Sequence, residues 1–221
     1  MPWLGWWAED SRPIALQVDN GDENSVDLLI TSNKRDAKVS ELYRCHGATG
    51  AVAPWLTDQR GNLAGRARKE ATQWVYENAL PGDTWQQTFT VSLKDMVDPL
   101  EVSADPGSAW ALSNHGRDKV ALVKLNLSSG REKVFYSDPS LDLSQAFISR
   151  KTGEPMAVVV DPSAQEWKFY DSRLRMLADK IKGPLTSRID VLSIGRNENR
   201  LVVVVQDSGG RRQLLVEAST Q

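Results

Sequence analysis

The strongest constraint on the fold is a strand–turn–strand pattern that the chain repeats. Its clearest instance is Trp110–Tyr136, WALSNHGRDKVALVKLNLSSGREKVFY. An apolar run, Trp110–Leu112, leads into a polar, glycine-bearing turn, Ser113–Asp118. A second run, Val120–Leu127, is followed by a Ser-Ser-Gly turn and a third run, Val134–Tyr136. Apolar segments of this length between such turns predict consecutive antiparallel strands.

A copy stands about 80 residues earlier, and internal repeats of this kind govern the choice of fold. Ser32-Asn33 answers Ser113-Asn114, and Arg35-Asp36 answers Arg117-Asp118. Leu42 answers Leu122, Arg44 answers Lys124 and Gly50 answers Gly130, with one inserted residue. Ile14–Val18, the turn Asp19–Asp22, Val26–Thr31 and Leu42–Cys45 complete that unit, which closes in the turn Gly47–Gly50. Weaker copies lie at Pro155–Tyr170 and Arg200–Ala218. In the latter, Gln206-Asp207 takes the Ser-Asn place and Leu215 that of Leu122. The three later copies are spaced by about 45 residues, near the period of a four-stranded propeller blade. The longer first gap predicts one more unit, with strands at Gln73–Tyr76 and Trp85–Val91 around LPGD.

Turns at Ala104–Gly107, Lys151–Gly153 and Gly195–Asn197 precede the later units. Val202–Val205 is β-branched throughout, as a strand buried on both faces would be. The expectation is an all-β chain: a partial β-propeller of about four to five blade-like antiparallel units, in which neighbours close the core. One segment departs from this. Asp171–Ile181, DSRLRMLADKI, predicts a short helix with Asp171 as N-cap, Leu174, Leu177 and Ile181 on one face, and Gly183-Pro184 as its stop. It is expected to pack on a blade edge. No Gly-, Ser- or Pro-rich run divides the chain, so residues 1–221 read as a single, incomplete propeller domain.

Composition narrows the function classes. The 221 residues are 40% hydrophobic, enough for a sizeable core. With 27 basic and 29 acidic residues the net charge is -2, which gives no general pull toward nucleic acid or an anionic membrane. The compact RARK at Arg66–Lys69 reads as a solvated turn. The single cysteine, Cys45, excludes an intrachain disulfide and a Cys-rich metal site, and is expected to be a buried, inert thiol. The start, MPWLGWWAED, is no signal peptide, and no run approaches the ~20 apolar residues that span a bilayer. A cytoplasmic location is expected, or a periplasmic one if a signal peptide has been removed. Asn126-Leu127-Ser128 fits a glycosylation sequon, a common chance match. The eight tryptophans read as packing wedges rather than ligand platforms.

Catalytic signatures are few. No G-x-S-x-G elbow is present; Ser108 and Ser129 lie beside glycines in the wrong frame. Of the two histidines, His46 precedes a turn and His115 lies within one. His115 has Asp118 three residues on and serines nearby, so a Ser-His-Asp arrangement is open by count, with turn chemistry the favoured reading. Two histidines on separate turns give no zinc-ligand spacing. Asp95/Asp98 and Asp138/Asp142, beside Pro99 and Pro139, read as turn formers. Phosphate-cradling glycine motifs are absent. Arg35-Asp36 and Arg117-Asp118 are expected to tie down their turns. No catalytic, cofactor-binding or metal-binding residue is assigned, and no cofactor is expected.

Four stretches carry a family resemblance: SNHGRDKVALVKLNLSSG (Ser113–Gly130), FYSDPSLDLS (Phe135–Ser144), EPMAVVVDPSAQEWKFYD (Glu154–Asp171), and ELYRCHGATG with WLTDQRGNLAGR (Glu41–Gly50 and Trp55–Arg66). In order and spacing they resemble the N-terminal β-propeller of the prolyl oligopeptidase family of serine peptidases, in its dipeptidyl/acylaminoacyl-peptidase-like branch. The resemblance implies a propeller that restricts which peptides reach a separate α/β-hydrolase domain, where the family's Ser, Asp and His lie. No such domain precedes Gln221, so the chain is expected to be inactive alone. It would be a truncated piece, a split gene product or a remnant, partnered by a hydrolase domain on the same or a neighbouring polypeptide and by peptides. Exposed blade edges would favour self-association. The rival expectation is a standalone propeller-like binding scaffold; a self-contained enzyme built around His115 is the third.

Overall fold

Among the described residues, five sheets follow one another, each a meander of strands consecutive in sequence. The computed structural model describes residues 13–19, 26–32, 39–43, 52–57, 63–82, 84–161, 166–182, 188–194, 198, 200–206 and 212–218. The first sheet joins β1 (Pro13–Asp19), β2 (Val26–Ser32) and β3 (Val39–Tyr43). The second joins β4 (Val52–Thr57), β5 (Leu63–Lys69), β6 (Gln73–Leu80) and β7 (Thr84–Ser92). The third joins β8 (Val97–Val102), β9 (Ser108–Ser113), β10 (Ala121–Asn126) and β11 (Glu132–Tyr136). The fourth holds β12 (Gln145–Ile148), β13 (Pro155–Asp161) and β14 (Glu166–Phe169), before helix α1 (Ser172–Lys182). The fifth holds β15 (Arg188–Ile194), β16 (Arg200–Gln206) and β17 (Arg212–Ala218).

The chain is therefore all-β with one short helix, and the repeat has a structural meaning. Ser32, Ser113 and Gln206 each end the second strand of a sheet, while Leu42, Leu122 and Leu215 lie in the third. The second sheet is the unit expected in the long gap, and Gln73–Tyr76 and Trp85–Val91 fall in its β6 and β7.

Three expectations need correction. Arg66–Lys69 is no solvated turn; it lies in β5, where buried Gly65 and Ala67 alternate with half-buried Arg66 and Arg68. The arginine stems cover the sheet while their heads find carboxylates, so a charged segment satisfies the strand period. Asp98 is no turn former either. It sits in β8, an edge strand, where Pro99 is tolerated beside an irregularity between Pro99 and Glu101. Of the valines expected to be buried on both faces, Val203 is fully buried while Val202 and Val204 are half-buried. Several expectations lie outside the described residues: the turns at 20–22, 47–50 and 195–197, the Asn33–Asp36 part of the first copy, Arg44, Cys45, His46, Asp207, the helix stop Gly183-Pro184, and Trp3, Trp6 and Trp7.

The residues group into two compact units, Met1–Arg117 with Val123–Phe135, and Asp118–Leu122 with Tyr136–Gln221. In the first, β4 and β8, the opening strands of successive sheets, lie against each other. Ala109, Trp110, Ala111, Leu112 and Ser113 of β9 are all buried, so both faces of that strand are covered. Trp55 packs at 5.9 Å from Trp85, and Trp110 meets Phe135 edge-on at 5.2 Å. These tryptophans act as wedges, as expected. The Ser-Ser-Gly turn is pinned on the second sheet: Gly130 has φ 68°, and a Cβ there would meet the Phe89 ring at 2.6 Å.

In the second unit, Met156–Val160 of β13 are buried throughout. Met156, Ala157, Leu174, Leu177 and Val203 form one core cluster, with Phe147, Trp167, Phe169 and Ile194 against it. Trp167 stacks between Phe147 and Phe169, at 5.5 Å from each. Helix α1 thus packs on sheet residues through Leu174 and Leu177 and leaves Met176 exposed. Asp171 is its N-cap, with Oδ1 accepting the Arg173 and Leu174 amides at 2.9 and 3.0 Å. The Arg173 side chain, then the backbone amides, hold the Asp171 carboxyl below its ordinary value against the opposing effect of burial.

Two stability outcomes follow. Gly116 shares φ 68° with Gly130 but has nothing within 4 Å of its Cβ position. Gly116→Ala should cost about 1 kcal/mol, the left-handed backbone penalty alone. Gly130→Ala should cost roughly 1–3 kcal/mol more, from the Phe89 overlap; equal urea midpoints for the two variants would contradict that packing. Asp171→Ala should cost about 0.5–2 kcal/mol at neutral pH. Because the folded pKa is depressed, this contribution is present above 3.8 and lost as pH falls through the lower folded value, so the two unfolding curves should converge in acid.

Candidate functional site

The residues that most resemble a site are Ser113, the last residue of β9, and His115 and Arg117 in the turn that follows. The turn is fixed to the segment between β7 and β8. Asn114 donates its amide to the Met96 carbonyl at 3.1 Å, and its Oδ1 accepts the Met96 amide at 2.6 Å. That double tie brings His115 Nδ1 to 2.8 Å from Asp95 Oδ2. The acid beside the histidine is Asp95, twenty residues back, and not Asp118. Asp118 is 91% exposed and faces Lys119.

The serine goes elsewhere. Ser113 is fully buried, and its Oγ donates to Glu132 Oε1 at 2.7 Å. The same oxygen accepts the His115 amide at 3.0 Å and Arg117 at 3.3 Å. Arg117 also pairs with Glu132. The serine proton is thus committed to Glu132 and its lone pairs to two donors. Arg117 ties its turn down as expected, through β11 rather than through Asp118. The turn therefore holds two separate pairs, an exposed His115–Asp95 and an inner Ser113–Glu132 with Arg117. Nucleophilic catalysis needs the hydroxyl on the imidazole nitrogen that Asp leaves free; the Ser113 hydroxyl is used by the carboxylate instead.

The remaining candidates also resolve into structure. Ser129 Oγ donates to Asn126 Oδ1 at 2.8 Å, and the Ser128 and Ser129 amides donate to the same atom. The sequon asparagine opens an Asx turn. Asp138 Oδ1 accepts the Ser140 and Leu141 amides, the turn role expected of it, and Asp142 Oδ1 accepts the Val120 amide. The basic run is neutralised locally. Arg66 pairs with Glu77 at 2.6 Å and lies 3.9 Å over the Trp85 ring. Arg68 pairs with Glu70 at 2.8 Å.

Two polar centres had no signal in the sequence. One is Glu198, which is 3% exposed with φ 55°. It accepts Ser149 Oγ at 2.7 Å and the Lys151 amide at 3.3 Å, and it faces Arg173 at 3.4 Å. It joins segments distant in sequence. The other is around Tyr76, whose hydroxyl donates to the Val97 carbonyl at 2.5 Å. Burial, then the charges of Asp98 and Glu132, push the Tyr76 hydroxyl pKa up, and burial raises the Asp98 carboxyl. Beside them lies a cavity of about 20 Å³ touching Leu56, Tyr76, Glu77, Phe89 and Pro99. It has room for a single water and none for a peptide. Among the described residues no group of three or more His, Cys, Asp or Glu is placed to hold a metal. No helix among them is long and apolar enough to cross a membrane.

No family model matches the sequence. The chain is distantly similar to a dipeptidyl aminopeptidase, BIII of Pseudoxanthomonas mexicana, at 24% identity over 169 residues. The match covers 70% of this chain and 24% of that protein, so the chain spans about a quarter of its relative's length.

The half-buried carboxylate of Asp98 has a measurable consequence. Its folded pKa lies above the ordinary 3.8, so the fold takes up a proton more readily than the unfolded chain. Stability contributed by this group is full in acid and declines as pH rises through the folded pKa. Asp98→Asn should raise the urea midpoint at neutral pH, with the gain vanishing below pH 3.8. A midpoint difference that is the same at both pH values would refute this.

Proposed function

We propose that this chain is the non-catalytic propeller portion of a serine peptidase of the prolyl oligopeptidase family. In this reading its meander sheets act as blades that limit which peptides reach a hydrolase domain on the same or a neighbouring polypeptide. The observation that carries the reading is the likeness to a dipeptidyl aminopeptidase, spread over 70% of this chain but only 24% of the relative. Two structural features support it. The four-stranded sheets have the consecutive strand order of propeller blades, with β4 and β8 adjacent as their opening strands. The most site-like turn commits its serine to Glu132 and its histidine to Asp95, an arrangement in keeping with a non-catalytic role.

The test has two arms. The purified 221-residue chain should not turn over dipeptidyl amide substrates, and His115→Ala should leave the background unchanged. Turnover abolished by His115→Ala would establish instead an enzyme complete in itself. In the polypeptide or complex that carries a G-x-S-x-G hydrolase, removing residues 1–221 should extend cleavage to longer peptides. An unchanged size limit, or no such hydrolase encoded in or beside the gene, would overturn the gating role in favour of a standalone scaffold.

A further inference from the structure

In strand order, β3, β7, β11, β14 and β17 each end their sheet. An end strand presents unpaired backbone groups, and proteins commonly blunt such edges with charge, proline or a bulge. Four of the five carry charge: Glu41 in β3, Glu132 and Lys133 in β11, Glu166 and Lys168 in β14, Arg212 and Glu217 in β17. The exception is β7, TWQQTFTVS, which has neither a charge nor a proline. At nine residues it is also the longest strand among the described residues. Thr84, Gln86, Gln87, Thr90 and Ser92 are exposed. A long, uncharged strand rich in β-formers is the composition that accepts another strand.

One irregularity interrupts it. Tyr76 pairs with Phe89 and Glu77 with Gln87, so Thr88 is an extra residue in β7. Thr88 Oγ1 donates to the Tyr76 carbonyl at 3.0 Å, which fastens the bulge to β6. Phe89, the next residue, stacks on Tyr76 with ring centroids 4.4 Å apart and lies beneath Gly130. The bulge is thus held on both sides.

We propose that Thr88 is a built-in block on strand pairing: its bulge keeps β7 from joining β7 of a second copy of this chain. A second copy is the partner the sequence fits. Without Thr88, antiparallel self-pairing sets Thr84 against Ser92, Trp85 against Val91, Gln86 against Thr90 and Gln87 against Phe89. Trp85 against Val91 is an aromatic–β-branched pair, Thr84 against Ser92 and Gln86 against Thr90 are polar pairs, Gln87 against Phe89 is neutral, and no like charges meet. At the opposite ends of their sheets, β4 is uncharged but carries Pro54, and β12, QAFI, lacks both charge and proline but is only four residues long, so β7 is the longest uncharged end strand among the described residues.

The test uses the full 221-residue chain in light scattering from micromolar to millimolar protein. The chain should keep its monomer mass, while deletion of Thr88 should bring the mass to about twice that value as concentration rises. In the deletion background, Gln86→Lys with Thr90→Lys should restore the monomer, and Gln86→Lys with Thr90→Glu should restore the dimer. A deletion variant with native circular dichroism that stays monomeric, or a dimer indifferent to the lysines, would overturn the proposal. Hydrogen exchange on the unaltered chain decides the matter even if the deletion does not fold. Exchange of the β7 amides should be independent of protein concentration, and slowing at high concentration would show that the bulge blocks nothing.

Discussion

The structure depends on strands that are covered on both faces. In β9 every residue from Ala109 to Ser113 is buried, and in β13 every residue from Met156 to Val160. A sheet alone in water shields at most one of its faces, so strands of this kind require a neighbour on each side. That requirement explains why the units recur: one three- or four-stranded meander has too little interior to be stable, whereas a succession of them supplies the second face. The tryptophans and phenylalanines serve the same need by filling the space beside the sheets, as Trp110 does with Phe135 and Trp167 does with Phe147 and Phe169.

Two-faced burial also sets the chemistry of the turns. A chain that leaves a buried strand must bring backbone and side-chain polar groups to the rim of an apolar layer, where an unpaired group is costly. Ser113 lies at that point, fully buried, and Glu132 and Arg117 complete its hydrogen bonding. Asn114 does the same for the Met96 backbone, and Glu198 for Ser149 and Lys151. Serine, asparagine, arginine and acid at strand ends are therefore selected by the sheet.

The element types were legible where apolar or β-branched residues dominate, as in β9, β10, β13 and β16. They were not legible in β5, LAGRARK, because the strand signal there is carried by arginine stems whose charge is cancelled by Glu77 on another strand. In β8, VDPLEV, Asp98 beside Pro99 reads as a turn former until the strand is seen to lie at a sheet edge. The partners of the site-like turn were missed for a different reason. Asp95 is 20 residues from His115, Glu132 is 19 from Ser113 and Glu198 is 49 from Ser149. A local scan selects Asp118, three residues from His115, although that side chain points to solvent.

The turn after β9 shows why residue type alone misleads about catalysis. It holds a serine, a histidine and two acids within hydrogen-bonding distance of one another's neighbours, the inventory of a hydrolase. What decides its role is direction. A nucleophilic serine needs an accessible oxygen and a base placed to remove its proton, which requires exposure to a substrate and an unoccupied lone pair. Ser113 has neither, because the strand that carries it is buried to its last residue and Glu132 is the nearer acceptor. His115 is the reverse: its ring is exposed and oriented by Asp95, and it reaches the Ser113 Oγ through its backbone amide rather than through the imidazole. The same burial that makes the turn stable keeps the two halves of a triad apart, so the fold's stability and its lack of an assembled triad at this turn share one cause.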